Sequence, residues 1–266
     1  MDKYDNATYG DRIAGNYDEF IPFSPEQTHA TVETLALLAD GGRVLELGIG
    51  TGRIALPLAA KGLAVQGIDA SPSMLEALRQ KPGGDSIAVS LGDFGEVAVE
   101  GQFSLIFVVF NTFFALLTQE AQVRCFANVA AHLEPGGLFA IEAFVPDPSR
   151  YIRNQSVVVT TVGLDQVRLA VSLHDPLSQC VPSQHVVIGN DGTRCFPVKL
   201  RYAWPSELDL MARLAGLRLK ERWSTWQRSP FTSSDSSHIS LYEHMSPNKN
   251  PSVPGGSKSA RHRTSP

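Results

Sequence analysis

Three glycines alternate in Glu46-Leu47-Gly48-Ile49-Gly50-Thr51-Gly52-Arg53, and an aspartate, Asp69, follows 21 residues after the first of them. Glycine is needed where the backbone takes positive φ or where a ligand comes into contact with the main chain. A carboxylate at that distance accepts hydrogen bonds from ribose hydroxyls in a βαβ unit. Together these residues describe a cradle for a nucleoside-bearing cofactor. A dinucleotide fingerprint, G-x-G-x-x-G, would need glycine at position 53, where Arg53 stands. The pattern here is E-x-G-x-G-x-G.

The elements that must position this cradle can be read around it. Val44 to Leu47 reads as a short buried strand, and apolar positions return at helical spacing from Arg53 to Ala60. Ala64 to Asp69 reads as the next strand, and Ser71-Pro72 opens a helix with Ser71 as N-cap. Ile87 to Leu91 is a third strand, followed by Asp93-Phe94. The continuous apolar run Phe103 to Phe110 suits a central parallel strand buried on both faces. Thr118 to Leu133 carries helix periodicity, and Leu138 to Phe144 is a fifth strand after Pro135-Gly136-Gly137.

The pattern then changes. Ser156 to Val162, Gln166 to His174, Gln184 to Gly189 and Arg194 to Tyr202 read as Val- and Thr-rich strands, with Asn190-Asp191-Gly192 as a hairpin signal. Ser206 to Leu214 is a helix, with Ser206 and Asp209 spaced as a capping box. Leu217 to Trp223 and His238 to Glu243 close the fold. The expectation is an α/β protein, a doubly wound and mostly parallel sheet with an antiparallel β insertion. Its parts are an N-terminal segment over 1–30, a core over 31–145, the insertion over 146–204, closing elements over 205–245 and a tail over 246–266.

Composition narrows the partners. Apolar content of 43% supports a packed core, and no apolar run reaches the ~20 residues of a membrane helix. The acidic, polar start Met1-Asp2-Lys3-Tyr4-Asp5 is not a secretory signal. Cys125, Cys180 and Cys195 are scattered, without a C-x-x-C pair, which fits free thiols in a reducing cytoplasm and no metal site. The tail is Pro/Ser/Gly/Asn-rich and holds Lys249, Lys258, Arg261 and Arg263 without an acid, so it is expected to be disordered. Without those four cations the chain keeps 19 basic and 27 acidic residues, a balance of about −8 that gives no attraction to nucleic acid.

The glycine pattern, Asp69 and Asp93-Phe94 in this order resemble the class I S-adenosylmethionine (SAM)-dependent methyltransferases over about residues 9 to 244. Within that family, Phe110-Asn111-Thr112-Phe113-Phe114, His132-Leu133-Glu134-Pro135-Gly136-Gly137 and Trp204-Pro205-Ser206-Glu207-Leu208-Asp209-Leu210-Met211-Ala212 are similar to small-molecule N-methyltransferases of actinobacterial antibiotic pathways, which act on sugar amines or peptide amino termini. The resemblance implies a seven-stranded Rossmann-like sheet and SAM as cofactor. It places Gly48, Gly50 and Gly52 against the methionyl part, and Glu46 near its amino group. Asp69 then falls at the ribose, Ala70 and Met74 beside the adenine, and Asp93 at the adenine amino group, with Phe94 on the ring. Phe110 lies beside the cofactor, and Tyr9, Arg12 and Tyr17 belong to an N-terminal segment that folds over it.

The resemblance implies a small-molecule or peptide acceptor, without nucleic acid or membrane, and an amine is preferred over an oxygen. An oxygen acceptor more often needs a base, and no strong base motif is present. Asn111, at the end of the central strand, either faces the acceptor or closes the turn. Tyr17 either reaches the acceptor or packs on a surface helix. His132 either acts as a base or takes a structural place near a helix C-terminus. His174 and His185, on the inserted strands, either reach a substrate or take structural places, and structural places are expected. A nucleic-acid N-methyltransferase would carry (D/N)-P-P-(F/Y) at 111, where Asn-Thr-Phe-Phe stands. O-methylation and a non-catalytic SAM-binding regulator are the other readings. The inserted sheet either covers the acceptor or forms a homodimer interface.

Overall fold

The computed structural model describes residues 4–5, 7–20, 24–96 and 99–245, so the basic tail 246–266 lies outside the described residues. The chain begins with the short helices α1 (Thr8–Ile13) and α2 (Tyr17–Phe20), then α3 (Pro25–Ala39). A βα alternation follows: β1 (Val44–Leu47), α4 (Ala55–Ala60), β2 (Val65–Asp69), α5 (Pro72–Arg79), β3 (Ala88–Leu91), β4 (Phe103–Val108), α6 (Gln119–His132) and β5 (Leu133–Phe144). The insertion comprises β6 (Gln155–Val162), β7 (Gln166–Leu173), β8 (Cys180–Gly189) and β9 (Gly192–Arg201). Helix α7 (Pro205–Leu214) and strands β10 (Leu217–Trp223) and β11 (Ser237–His244) complete the fold.

The main sheet has seven strands in the order β10-β11-β5-β4-β1-β2-β3. Its strands from β1 to β5 run parallel, and β11 pairs antiparallel with both β5 and β10. The strand order reverses between β1 and β4, and ligands of open α/β sheets bind outside the carboxyl ends of the strands at such a point. Strand β4 is apolar on both faces, as its sequence requires. Its exception, Ser104, donates to the carbonyls of Ala39 and Arg43. One face packs an aromatic cluster in which Phe126 stands edge-on to Phe113, Phe139 and Tyr242, with centroids 5.3–5.5 Å apart. Leu35, Leu58, Phe107 and Trp223 pack on the other face.

Three local expectations are corrected. β5 starts at Leu133, not Leu138: Leu133 pairs with Phe103 and Leu138 with Leu105, so Glu134 to Gly137 form a bulge with Gly136 at φ 85°. β8 starts at Cys180 despite Pro182, which lies one residue beyond the last β7 partner, where its missing N–H is tolerated. Helix α7 begins at Pro205 with Trp204 as N-cap, and no capping box forms. Asp209 instead accepts from Arg222 Nη2 at 2.6 Å and from the Tyr242 hydroxyl at 3.0 Å.

The inserted strands form a separate antiparallel sheet in the order β6-β7-β8-β9. Arg201, at its end, is 4% exposed and ties it to the body. Its guanidinium donates to Gln122 of α6, to Gln179 Oε1 at 2.9 Å and to Glu207 Oε1 of α7 at 2.8 Å.

Candidate active site

The glycine turn leaves β1 with Gly48, Gly50 and Gly52 all at positive φ (71°, 55° and 82°). Their surroundings differ. A Cβ on Gly52 would lie against the Leu78 side chain and away from the cavity lining. A Cβ on Gly50 would meet nothing within 4 Å, because the residue opens onto a cavity. Asp69 fastens the turn: Oδ2 accepts from Gly50 N–H at 2.8 Å and Oδ1 from Ser71 N–H at 2.9 Å. Burial pushes its carboxyl up, against the lowering effect of these two N–H groups.

Glu46, on β1, is 3% exposed. Burial pushes its carboxyl up to about 8, with Arg53 acting to lower it and Asp69 to raise it. Its Oε2 has no hydrogen-bond partner among the described residues. A buried carboxyl oxygen without a donor costs about 1–3 kcal/mol, so this atom is suited to a ligand's cationic N–H. Glu46 borders a smaller space whose walls include Tyr17, Gly48, Gly50, Phe110 and Thr112, all of which also line the main cavity.

Beyond β4 the backbone takes two consecutive left-handed residues, Phe110 (φ 55°) and Asn111 (φ 63°). Such residues cost about 1–3 kcal/mol each and persist where the surroundings hold them. Glu142 of β5 does so: its Oε2 accepts from Phe110 N–H at 2.9 Å and its carbonyl from Asn111 N–H at 3.1 Å. The result exposes Phe110 by 40% at the cleft, with the Arg53 guanidinium 5.7 Å from its ring centre. The Asn111 side-chain oxygen accepts from Phe144 N–H at 2.7 Å, closing the turn.

These residues line one cavity of about 500 Å³. Its sheet side carries Gly48, Gly50, Asp69, Ala70, Met74, Asp93 and Phe94, with Asp93 Oδ1 accepting from Gly95 N–H at 2.8 Å. Phe110 and Asn111 stand at its middle, and Tyr9 and Tyr17 close it from the N-terminal segment. That segment is held down by Asp11, which accepts from the Ser71 hydroxyl at 2.6 Å, and by Asp18, which accepts from the Thr51 hydroxyl at 2.8 Å. Burial raises both phenols, Tyr17 to about 12, so both stay protonated.

The inserted sheet forms the remaining wall through Thr161, Arg168 and His185, among others. Register shows why these three share a face: Arg168 pairs with Thr161 and Val187, two positions from His185. The sequence leaves a substrate contact open for His185 but favours a structural place. The signal that could have found it is the strand alternation, which sets it on the face of Val187 and Phe196 that packs on Tyr9 and Tyr17.

Three expected site residues are elsewhere. Gly52 packs against Leu78, as described. Arg12 is exposed on α1 and does not line the cavity. His132 ends α6, which runs back to the amino ends of the strands. Its ring nitrogens sit 2.7 Å from the carbonyl of Asn128 and 3.1 Å from that of Val99, far from the carboxyl-end cleft. His174 has the structural place expected of it, bonded to the Tyr202 hydroxyl at 2.9 Å and stacked on Tyr151.

Comparison with known proteins bears on the same region. Residues 44–137, from β1 into β5, match a family model described as a methyltransferase domain. The cypemycin N-terminal methyltransferase of a Streptomyces species is 30% identical over 196 residues, covering 73% of this chain and 79% of that protein. The solved structure of the CcbJ methyltransferase from Streptomyces caelestis superposes with a TM-score of 0.86 at 39% identity, over 91% of this chain and all of that one. SAM-bound CalS10, an amino pentose methyltransferase from Micromonospora echinaspora, shares the fold with a TM-score of 0.61 at 20% identity, over 86% of this chain and 94% of that one.

Proposed function

We propose that this chain, which belongs to the class I SAM-dependent methyltransferases, transfers the methyl group to an amine of a small metabolite or peptide in specialised metabolism. The observation that carries the acceptor side is the divided cavity. Its sheet side has the donors and acceptors suited to SAM, and the inner face of the inserted sheet closes it over a space that suits a small acceptor. The names of two relatives, an N-terminal and an amino pentose methyltransferase, support nitrogen over oxygen. The three cysteines are free, and no helix among the described residues is long and apolar enough to cross a membrane, which supports a cytoplasmic setting. On this reading no nucleic acid takes part, and the inserted sheet serves the acceptor.

The residues present fit the cofactor. Glu46 Oε2 awaits a cationic donor, Gly50 leaves open space at the main chain, and Asp69 offers a carboxylate beside that space. We assign Glu46 to the amino group, Gly48 and Gly50 to the methionyl backbone approach, and Asp69 to the ribose. Ala70, Met74, Asp93, Phe94 and Phe110 surround the nucleoside, with Tyr9 and Tyr17 over it. When bound, SAM supplies a methyl group made electrophilic by the sulfonium. The protein aligns the acceptor nitrogen with that methyl and keeps water out, the main contributions open to it in such a displacement. Asn111 can present its amide N–H₂ to an acceptor oxygen, since its own oxygen already binds Phe144.

Labelled SAM distinguishes the acceptors. Peptides with free and acetylated amino termini, and amino sugars with their hydroxyl analogues, are incubated with [methyl-¹³C]SAM. Nitrogen-bound label on the free amines alone is expected; label confined to the hydroxyl compounds overturns the amine reading.

Two binding results follow from the cofactor assignment. Asp69→Ala should weaken S-adenosylhomocysteine by about 1–3 kcal/mol, the cost of losing a buried charged acceptor. Calorimetry measures this, and unchanged affinity removes Asp69 from the site. Glu46 is largely protonated at neutral pH, because burial holds it near 8. A ligand ammonium favours the ionised form, so binding should release a proton and affinity should rise from about pH 6 towards 8. Titrations in buffers of differing ionisation enthalpy read that proton, and Glu46→Gln should release none.

A further inference from the structure

We infer that His185 is the group that takes the proton from the acceptor amine, an assignment that rests on the amine reading above. An ammonium has no lone pair, so an amine that enters protonated must lose a proton before it can attack. The charged and titratable groups around the cavity leave few places for that proton. From the N-terminal segment, Tyr4, Tyr9 and Tyr17 are held protonated by burial. Across the cavity, Asp69 accepts from two backbone N–H groups and Asp93 from that of Gly95, and both carboxylates, like Glu46, are assigned above to the cofactor. On β7, Arg168 is a permanent cation and cannot act as a base. On β9, Lys199 lies opposite Pro182 and so on the other face from His185, contributing its backbone N–H to the Tyr4 hydroxyl.

His185 differs from the histidines that a ring hydrogen bond holds in place. His132 contacts two carbonyls, His174 the Tyr202 hydroxyl and His238 the Ser240 hydroxyl. The ring of His185 makes no hydrogen bond to any described residue, yet it borders the cavity on the inner face of the sheet. Burial holds its basicity below the ordinary histidine value, which keeps the ring neutral and able to accept. In the step itself one N–H bond of the acceptor ammonium breaks, and its electron pair stays on that nitrogen as the nucleophile. The proton binds the free ring nitrogen of His185, giving an imidazolium that returns the proton to solvent once product leaves.

The test compares pH profiles of kcat/KM for wild type and His185→Gln, with an amine that wild type methylates. At about pH 6 the variant should be about 100-fold slower, within the usual range for a positioned base. The gap should close above the amine's own pKa, about 8–10, where solvent has already removed the proton. S-adenosylhomocysteine affinity should match wild type, which controls for folding. Equal profiles, or a loss of the same size at every pH, overturn the assignment. A second reading needs no acceptor: in ring-labelled protein with S-adenosylhomocysteine bound, the NMR signal that vanishes in His185→Gln should report a neutral ring at about pH 7, and a protonated ring overturns it. Failure of the amine reading shows instead in wild type, as the absence of nitrogen-bound label.

Discussion

Replacing Gly50 with valine will leave a folded protein that no longer gains stability from S-adenosylhomocysteine. The backbone at Gly50 has φ 55°, so a side chain there costs about 1–2 kcal/mol before any ligand is considered. No protein atom obstructs it, since an added Cβ meets nothing within 4 Å. The isopropyl group would project into the space assigned to the cofactor, and the loss therefore falls on binding. In urea denaturation, wild type at a hundredfold excess of ligand over Kd should gain about 2.7 kcal/mol. The variant should gain nothing at that concentration while remaining cooperatively folded without ligand. A gain close to that of wild type would move the cofactor away from this turn.

Arg201→Ala carries the largest expected effect on stability, about 3–5 kcal/mol, because it strands one partner of a buried ion pair. The Glu207 side chain, 17% exposed, would keep only Gln119 and Gln179 as hydrogen-bond donors. Burial raises the Glu207 carboxyl, but Arg201 and the two glutamines outweigh it and hold the group below the usual carboxylate range. A depressed carboxyl contributes stability that is present above its unfolded value, near 4.5, and is lost as pH falls through the folded one. Wild type should therefore lose this contribution on acidification below about pH 4.5, and Arg201→Ala should lack most of that loss. Since Arg201 joins β9 to α6 and α7, the variant should also loosen the acceptor wall. Denaturant midpoints within about 1 kcal/mol of wild type would show that the network contributes little.

The cofactor half of this site is written locally. Glu46, the alternating glycines, Asp69 and the Ser71-Pro72 helix start lie within one βαβ unit, where spacing alone determines position. Ser71 does cap α5, accepting from Met74 N–H at 3.1 Å. The acceptor half depends on pairing between distant strands. Val157, Val159 and Leu173 are exposed on the inserted sheet, so its apolar alternation does not reveal which face is inward. Only the register of β7, β8 and β9 places His185 and Arg168 at the cavity. Helix direction explains His132: α6 runs opposite to the strands, so its last residue falls at the far end of the sheet. Gly52 fits the motif, but it does not line the cavity, and Leu78 stands where its side chain would be. Asn111 lies in the turn beyond β4, which ends at Val108, and its bond to Phe144 depends on a partner 33 residues away.

Calorimetric titration of the purified protein with S-adenosylhomocysteine, alongside NAD and NADP, decides which cofactor the glycine turn holds. One site per chain for S-adenosylhomocysteine and silence from both dinucleotides is the expected result. Binding of a dinucleotide with no response to S-adenosylhomocysteine would contradict it and leave only the α/β fold.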